Sequence, residues 1–161
     1  MQVRGMYRHE NYEQMKMELP FGVSLREDNR WVQLSKMFPW EEIDREYSAN
    51  FTSGEGQVAL PSRLAFGALY IQATEGYTDE KTRENIQENP YLQYFCGFEC
   101  YTLESPFDAS MMTHFRKRIP LEMIQRICER VFCTEAIASM DNEDEDGSEE
   151  TEKEEGTDNR G

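Results

Sequence analysis

The chain has 161 residues, 12% of them aromatic and 30% charged, with a formal net charge of −15. That length fits one domain with a real core plus appended sequence, and the aromatic share excludes a wholly disordered protein. Phosphates repel so acidic a chain, which argues against nucleic-acid binding over its whole surface.

The charge is uneven, however. Residues 141–161 hold 11 acids against Lys153 and Arg160, a net of −9, which leaves −6 for residues 1–140. That remainder is only moderately acidic, so a local basic site is compatible with it. No run of 18 apolar residues occurs, so no membrane-spanning helix and no membrane partner are expected, and residues 1–18 lack the apolar centre of a signal peptide. A cytoplasmic protein is the expectation. Cys96 and Cys100 are four apart, Cys128 and Cys133 five apart. These spacings fall outside the usual zinc pairs and the residues lie among Tyr94, Phe95, Phe98, Val131 and Phe132. Packed, reduced thiols are therefore expected, with no metal and no other cofactor.

In chain order, residues 1–18 show little periodicity and read as a flexible N-terminal segment. Leu19-Pro20-Phe21-Gly22 reads as an extended stretch and turn that pins Phe21 to the core. Asp28 or Asn29 can cap a helix over 31–37, with Trp31, Leu34 and Phe38 on one side. Pro39 interrupts it. A second helix over 40–47 has Glu41, Glu42 and Asp44 in its first turn, where the helix dipole favours anions. Residues 51–57 read as a loop, and Pro61 then opens the most apolar segment, 64–71, hydrophobic almost all round. This is expected to be the central buried helix, with Gly67 and Ala68 admitting a close neighbour and Gly76 ending it. Thr78 caps a helix over 79–88, Asn89-Pro90 opens a short one over 91–96 that stops at Gly97, and 98–107 is a loop rich in aromatics.

Residues 108–119, Asp-Ala-Ser-Met-Met-Thr-His-Phe-Arg-Lys-Arg-Ile, hold three consecutive basic residues and read as a short helix. Ser110 is the expected N-cap; Met111, Phe115 and Ile119 form the apolar stripe, with Met112 at its margin. Ser110, Thr113, His114 and Lys117 share the opposite face, flanked by Arg116 and Arg118. Such a helix can lie against a nucleic-acid groove and touch phosphates with its rim, or it can be the solvated face of an ordinary core helix. After Pro120 comes a last helix, with Leu121, Ile124, Ile127, Cys128, Val131 and Phe132 inside, fading by 140. Beyond it lie acids, Gly, Ser and Thr, expected as a disordered tail whose carboxylates are solvated rather than a catalytic pair or calcium site. With no strand-period segment, the fold class expected is all-α: about seven helices in a compact bundle over 19–138, followed by an acidic segment over 139–161.

The order of several blocks then resembles a known family. Leu19-Pro20-Phe21-Gly22, Asn29-Arg30-Trp31-Val32-Gln33-Leu34, Pro39-Trp40-Glu41-Glu42-Ile43, Leu60-Pro61-Ser62-Arg63-Leu64, Thr78-Asp79-Glu80, Glu88-Asn89-Pro90-Tyr91-Leu92-Gln93-Tyr94-Phe95-Cys96-Gly97 and the block 110–119 are similar to the InsH-like N-terminal domain of bacterial insertion-sequence DDE transposases. The resemblance covers roughly 19–132. It implies a helical region that contacts the element's terminal repeats in DNA and precedes a catalytic domain, in a bacterial, nucleoid-associated protein. It also implies a helix-turn-helix-like unit built from 78–97 and 110–119, with the latter in the recognition position. The family's three metal-holding carboxylates belong to a domain beyond the acidic linker, so none of the acids in 141–158 is assigned to catalysis and the chain alone is expected to be inert.

Two functions follow from these readings. The leading one is a DNA-binding accessory domain, with Arg116, Lys117 and Arg118 as phosphate contacts and Thr113, His114, Ser110 and Arg63 nearby. The alternative is a helical interaction module that forms a homodimer or docks on the transposase catalytic domain, using exposed aromatics such as Tyr101 and Phe107.

Overall fold

Helix ends fall where side chains satisfy unpaired backbone groups. In the computed structural model, which describes residues 5–9, 16–51 and 58–143, seven helices follow in order. They are α1 (Arg30–Met37), α2 (Trp40–Ser48), α3 (Ser62–Glu75), α4 (Asp79–Glu88), α5 (Pro90–Phe95), α6 (Met111–Arg118) and α7 (Leu121–Glu143). The Asn29 carboxamide oxygen accepts from the Trp31 N–H, the Thr78 hydroxyl from Lys81 and the Asn89 oxygen from Tyr91. Such caps are worth about 1 kcal/mol each. Among the described residues no strand forms; Met6 with Val58 and Glu18 with Cys100 make isolated parallel bridges. The architecture is all-α, as the periodicity requires.

Every residue from 62 to 71 is buried, so α3 is the hub. It packs on α2, α4 and α6, while α5 packs on α1 and α4. A Cβ on Gly67 would stand 2.9 Å from the Cys96 sulfur, so only glycine lets the end of α5 approach this closely. Phe38 then meets Trp40, Phe66, Tyr70 and Phe95 edge-on or tilted at 5.0–5.8 Å between ring centres. These rings form the centre of the core, and truncating one as buried as Phe66 or Phe95 is expected to cost about 3–5 kcal/mol.

Five expectations are corrected. Phe21 is not pinned to the core but 100% exposed, because the turn at Pro20–Gly22 holds it at φ 63° and aims it away. Residues 5–9, inside the segment read as flexible, are held: Tyr7 stacks on Phe51 and donates to Asp44, and Ala59 N–H donates to Met6 at 2.9 Å. In α7, Ile127 is buried and Ile124, Cys128 and Val131 pack half-buried on the core as expected, but Met123 is buried too, Leu121 is 61% exposed, and Phe132, 39% exposed, meets Phe38 edge-on. Only the first half of α7 lies on the body, anchored to α2 by Arg126–Glu46 and by Arg130–Glu42 at 2.6 Å, and every residue from 132 to 139 is exposed. The helix also continues to Glu143, past its expected end. Finally, Phe107 is buried edge-on against Phe115, and the half-buried Tyr101 donates to the Glu88 carbonyl at 3.1 Å, so these two aromatics form no open patch. Residues 144–161, the bulk of the expected tail, and 52–57, most of the expected loop, lie outside the described residues.

Candidate nucleic-acid interface

Helix α6 begins two residues earlier in its capping than the sequence suggests. Ser110 makes no side-chain cap and is itself helical at φ −62°, ψ −23°; the Asp108 carboxylate accepts from the Ser110 N–H at 2.9 Å, and its carbonyl from Met111 at 2.8 Å. Met112, Phe115 and Ile119 are buried on α3, and Met111, expected in the stripe, is half-buried at its edge. Ser110, Thr113, His114, Arg116 and Lys117 are exposed, so the outer face assembles as read.

The basic residues divide by what holds them. Arg116 reaches across to the first turn of α4, donating to both Asp79 oxygens at 2.7 and 2.9 Å, and more weakly to Gln72 and Thr113, both at 3.3 Å. Gln72 also donates to Asp79 at 2.7 Å. The guanidinium hydrogen bond, then the Gln72 amide, hold the Asp79 carboxyl down to about 2, and the same pairing raises Arg116. This latch uses most of the Arg116 donors. Arg118 lies 5.1 Å from the Phe51 ring centre and donates to the Tyr47 hydroxyl at 3.3 Å, while its carbonyl accepts from Asn50 at 3.1 Å. Burial pushes the Tyr47 phenol up, with Arg118 pulling it down. Among the described residues, Lys117 and His114 have no ion-pair or hydrogen-bond partner through their side chains. They are the groups left free to meet a ligand.

Arg63 stands elsewhere. It is 6% exposed on α3, where Nε donates to the Phe95 carbonyl at 2.9 Å, a terminal nitrogen donates to Tyr94 at 3.0 Å, and the guanidinium lies 4.5 Å from the Trp40 ring centre. It closes the negative end of α5, as cations do at helix C-termini. The candidate surface therefore does not include Arg63. The apolar side of α6 rests on α3, and the Arg116–Asp79 pair ties α6 to α4.

The loop between α5 and α6 is held by a residue that the sequence did not single out. Gln93, fully buried, donates to the carbonyls of Thr102 at 2.8 Å and Gln87 at 3.1 Å and accepts from the Thr102 N–H at 3.1 Å. This order lets so long a loop deliver α6 at a fixed angle. Asp44, likewise buried, accepts from Ser62 at 2.8 Å and pairs with Tyr7 and His9. Its network joins the N-terminal residues to α2 and α3. Neither role is marked by periodicity, since a buried Gln and a first-turn Asp look like ordinary polar positions.

Among the described residues, no group of three or more His, Cys, Asp or Glu is arranged to hold a metal ion. Cys96 is buried, and burial, opposed by the nearby Arg63 charge, pushes its thiol up to about 12; Cys128 is half-buried, and Cys100 and Cys133 are exposed rather than packed. Among the same residues no helix is long and apolar enough to cross a membrane.

Comparison with known proteins adds a family. The family model described as "Transposase domain (DUF772)" matches residues 21–118, more than half of the chain. A Rhizobium meliloti protein described as "Uncharacterized protein ORF8 in nfe locus" is 41% identical over 88 residues, which cover 55% of this chain and 42% of that protein. The chain thus spans less than half the length of the curated relative it matches. No solved structure matches.

Proposed function

The chain belongs to the transposase-domain family DUF772, and from that premise we propose that it is a DNA-contacting accessory domain of a bacterial insertion-sequence transposase. The outer face of α6 lies against the element's terminal repeat. The observation that carries this reading is the sorting of cations on α6: Arg116 and Arg118 are fixed to the body, while Lys117 and His114 project with no partner among the described residues. A helix held rigidly at both edges loses little freedom when its free lysine meets a phosphate, which favours binding. Thr113 and Ser110 lie on the same face as further donors, and the tied arginines add positive potential without being the first contacts.

Cleavage and strand transfer need carboxylates that hold divalent metal, and in this reading they belong to a separate catalytic domain, with which this domain partners. The domain's task is to present the DNA end, and by itself it is inert. Fluorescence anisotropy of the chain with a terminal-repeat duplex and a scrambled duplex, at two salt concentrations, tests the proposal. Preference for the repeat, lost in part at the higher salt, is expected. Equal, absent or salt-independent binding would overturn it.

A further inference from the structure

Among the described residues Phe21 is the only non-glycine at positive φ, at 63°, and its side chain is 100% exposed. The left-handed conformation is one that L-residues rarely adopt, and a phenyl ring in water offsets none of its strain. Asparagine or glycine would sit there more easily. No described residue of its own chain covers the ring, and a contact with another molecule would offset the strain.

The complement lies beside it. Met17, Leu25, Val32 and Tyr94 line a cleft of about 300 Å³ together with Lys16 and Lys36. A cavity of roughly 150 Å³ already admits a benzene ring, so this space is adequate for a phenyl group. Phe21, on the turn between Met17 and Leu25, does not enter it. Knob and hole therefore share one patch. The same patch carries both signs of charge: Lys16, Lys36, Glu18 and Glu27 have no ion-pair partner among the described residues.

A surface with an adjacent knob and hole and unpaired charges of both signs is self-complementary under a two-fold axis. We propose that this patch is an isologous interface, in which a second copy of the chain places its Phe21 in the cleft and receives the first copy's Phe21 in return. Lys36 then faces Glu27 or Glu18 of the other copy, at the rim of the buried rings. The inference goes beyond the DNA reading and does not rest on it.

Sedimentation equilibrium of the full chain without DNA, from low micromolar to high micromolar concentration, tests it. The mass should rise from one chain to two. Phe21→Asn should weaken the association at least about tenfold, as loss of a central aromatic anchor does, with the monomer's thermal stability unchanged or raised. Ser24→Trp, at an exposed residue lining the cleft, should do the same by filling it. A wild-type chain that stays monomeric throughout, or a dimer that survives either substitution, would overturn the interface.

Discussion

The junction of α3 with α5 and the outer face of α6 both carry basic side chains, and they use them in opposite ways. Arg63 is turned inward, its donors taken by the Phe95 and Tyr94 carbonyls and its plane set against Trp40. Lys117 is exposed and has no partner among the described residues. Residue type does not separate them; surroundings do. Arg63 stands where the end of a short helix leaves carbonyls unpaired and where Gly97, at φ 90°, leaves room, since a Cβ there would lie 2.8 Å from the Arg63 Cδ. Lys117 sits on a helix face whose neighbouring acid, Asp79, is already occupied by Arg116. A cation counts toward a ligand only after the fold's own acceptors have been served.

The sharpest way to break this comparison is at its inner pole. Arg63→Ala removes two charge-assisted hydrogen bonds and buried packing, and should destabilise the fold by about 3 kcal/mol in a urea titration. Arg63→Lys should recover little of this, because an ammonium cannot reach both carbonyls while lying flat on Trp40. A loss below about 1 kcal/mol for the alanine variant would show that its two hydrogen bonds and its contact with Trp40 contribute little to the fold. Gly97→Ala probes the same site from the other side. The positive φ and the 2.8 Å approach to Arg63 should together cost about 1–3 kcal/mol. A neutral result would mean that the pocket yields more readily than its geometry suggests.

The intermediate case is the latch. Asp79, held down to about 2 from an ordinary 3.8, stabilises the fold through its ionised form above about pH 4, and that contribution is lost as pH falls through 2. The Arg116 and Asp79 side chains are 45% and 35% exposed, so solvent screening limits the pair to about 0.5–1 kcal/mol. Asp79→Asn should therefore lower the melting temperature modestly at pH 7, and its gap to the wild type should narrow steadily from pH 4 to pH 2. A gap that is constant over that range would mean that Gln72 and Thr113, not the carboxylate, fix Arg116.

These cases also show what a sequence can carry. The caps at Asn29, Thr78 and Asn89, the stop at Gly76 and the all-round hydrophobic α3 were legible because each depends on a few consecutive residues. Phe115 and Ile119 were legible for the same reason, as a helical stripe. What stayed hidden depends on residues far apart in the chain. Arg116 meets Asp79 37 positions away, and Arg63 meets Phe95 32 away. Helical periodicity can say that Arg63 is helical, but not that a later helix ends beside it. Phe21 escaped differently: an aromatic after a proline suggests a core contact, and only the backbone angle reveals that the ring is turned outward.

The smallest effect expected on stability belongs to the outer pole, and it tests the functional reading most directly. Among the described residues Lys117 touches no acceptor, so Lys117→Ala should leave the unfolding free energy within about 0.5 kcal/mol of the wild type. Each phosphate neutralised contributes about 0.9 to the slope of log affinity against log salt. If Lys117 meets one phosphate of the terminal-repeat duplex, its removal should weaken binding at low salt and reduce that slope by about 0.9. An unchanged slope with unchanged stability would leave α6 as a solvated core helix. A slope reduced in Arg116→Ala but not in Lys117→Ala would mean that DNA opens the latch and takes the arginine from Asp79, reversing the order of the two cations proposed for this surface.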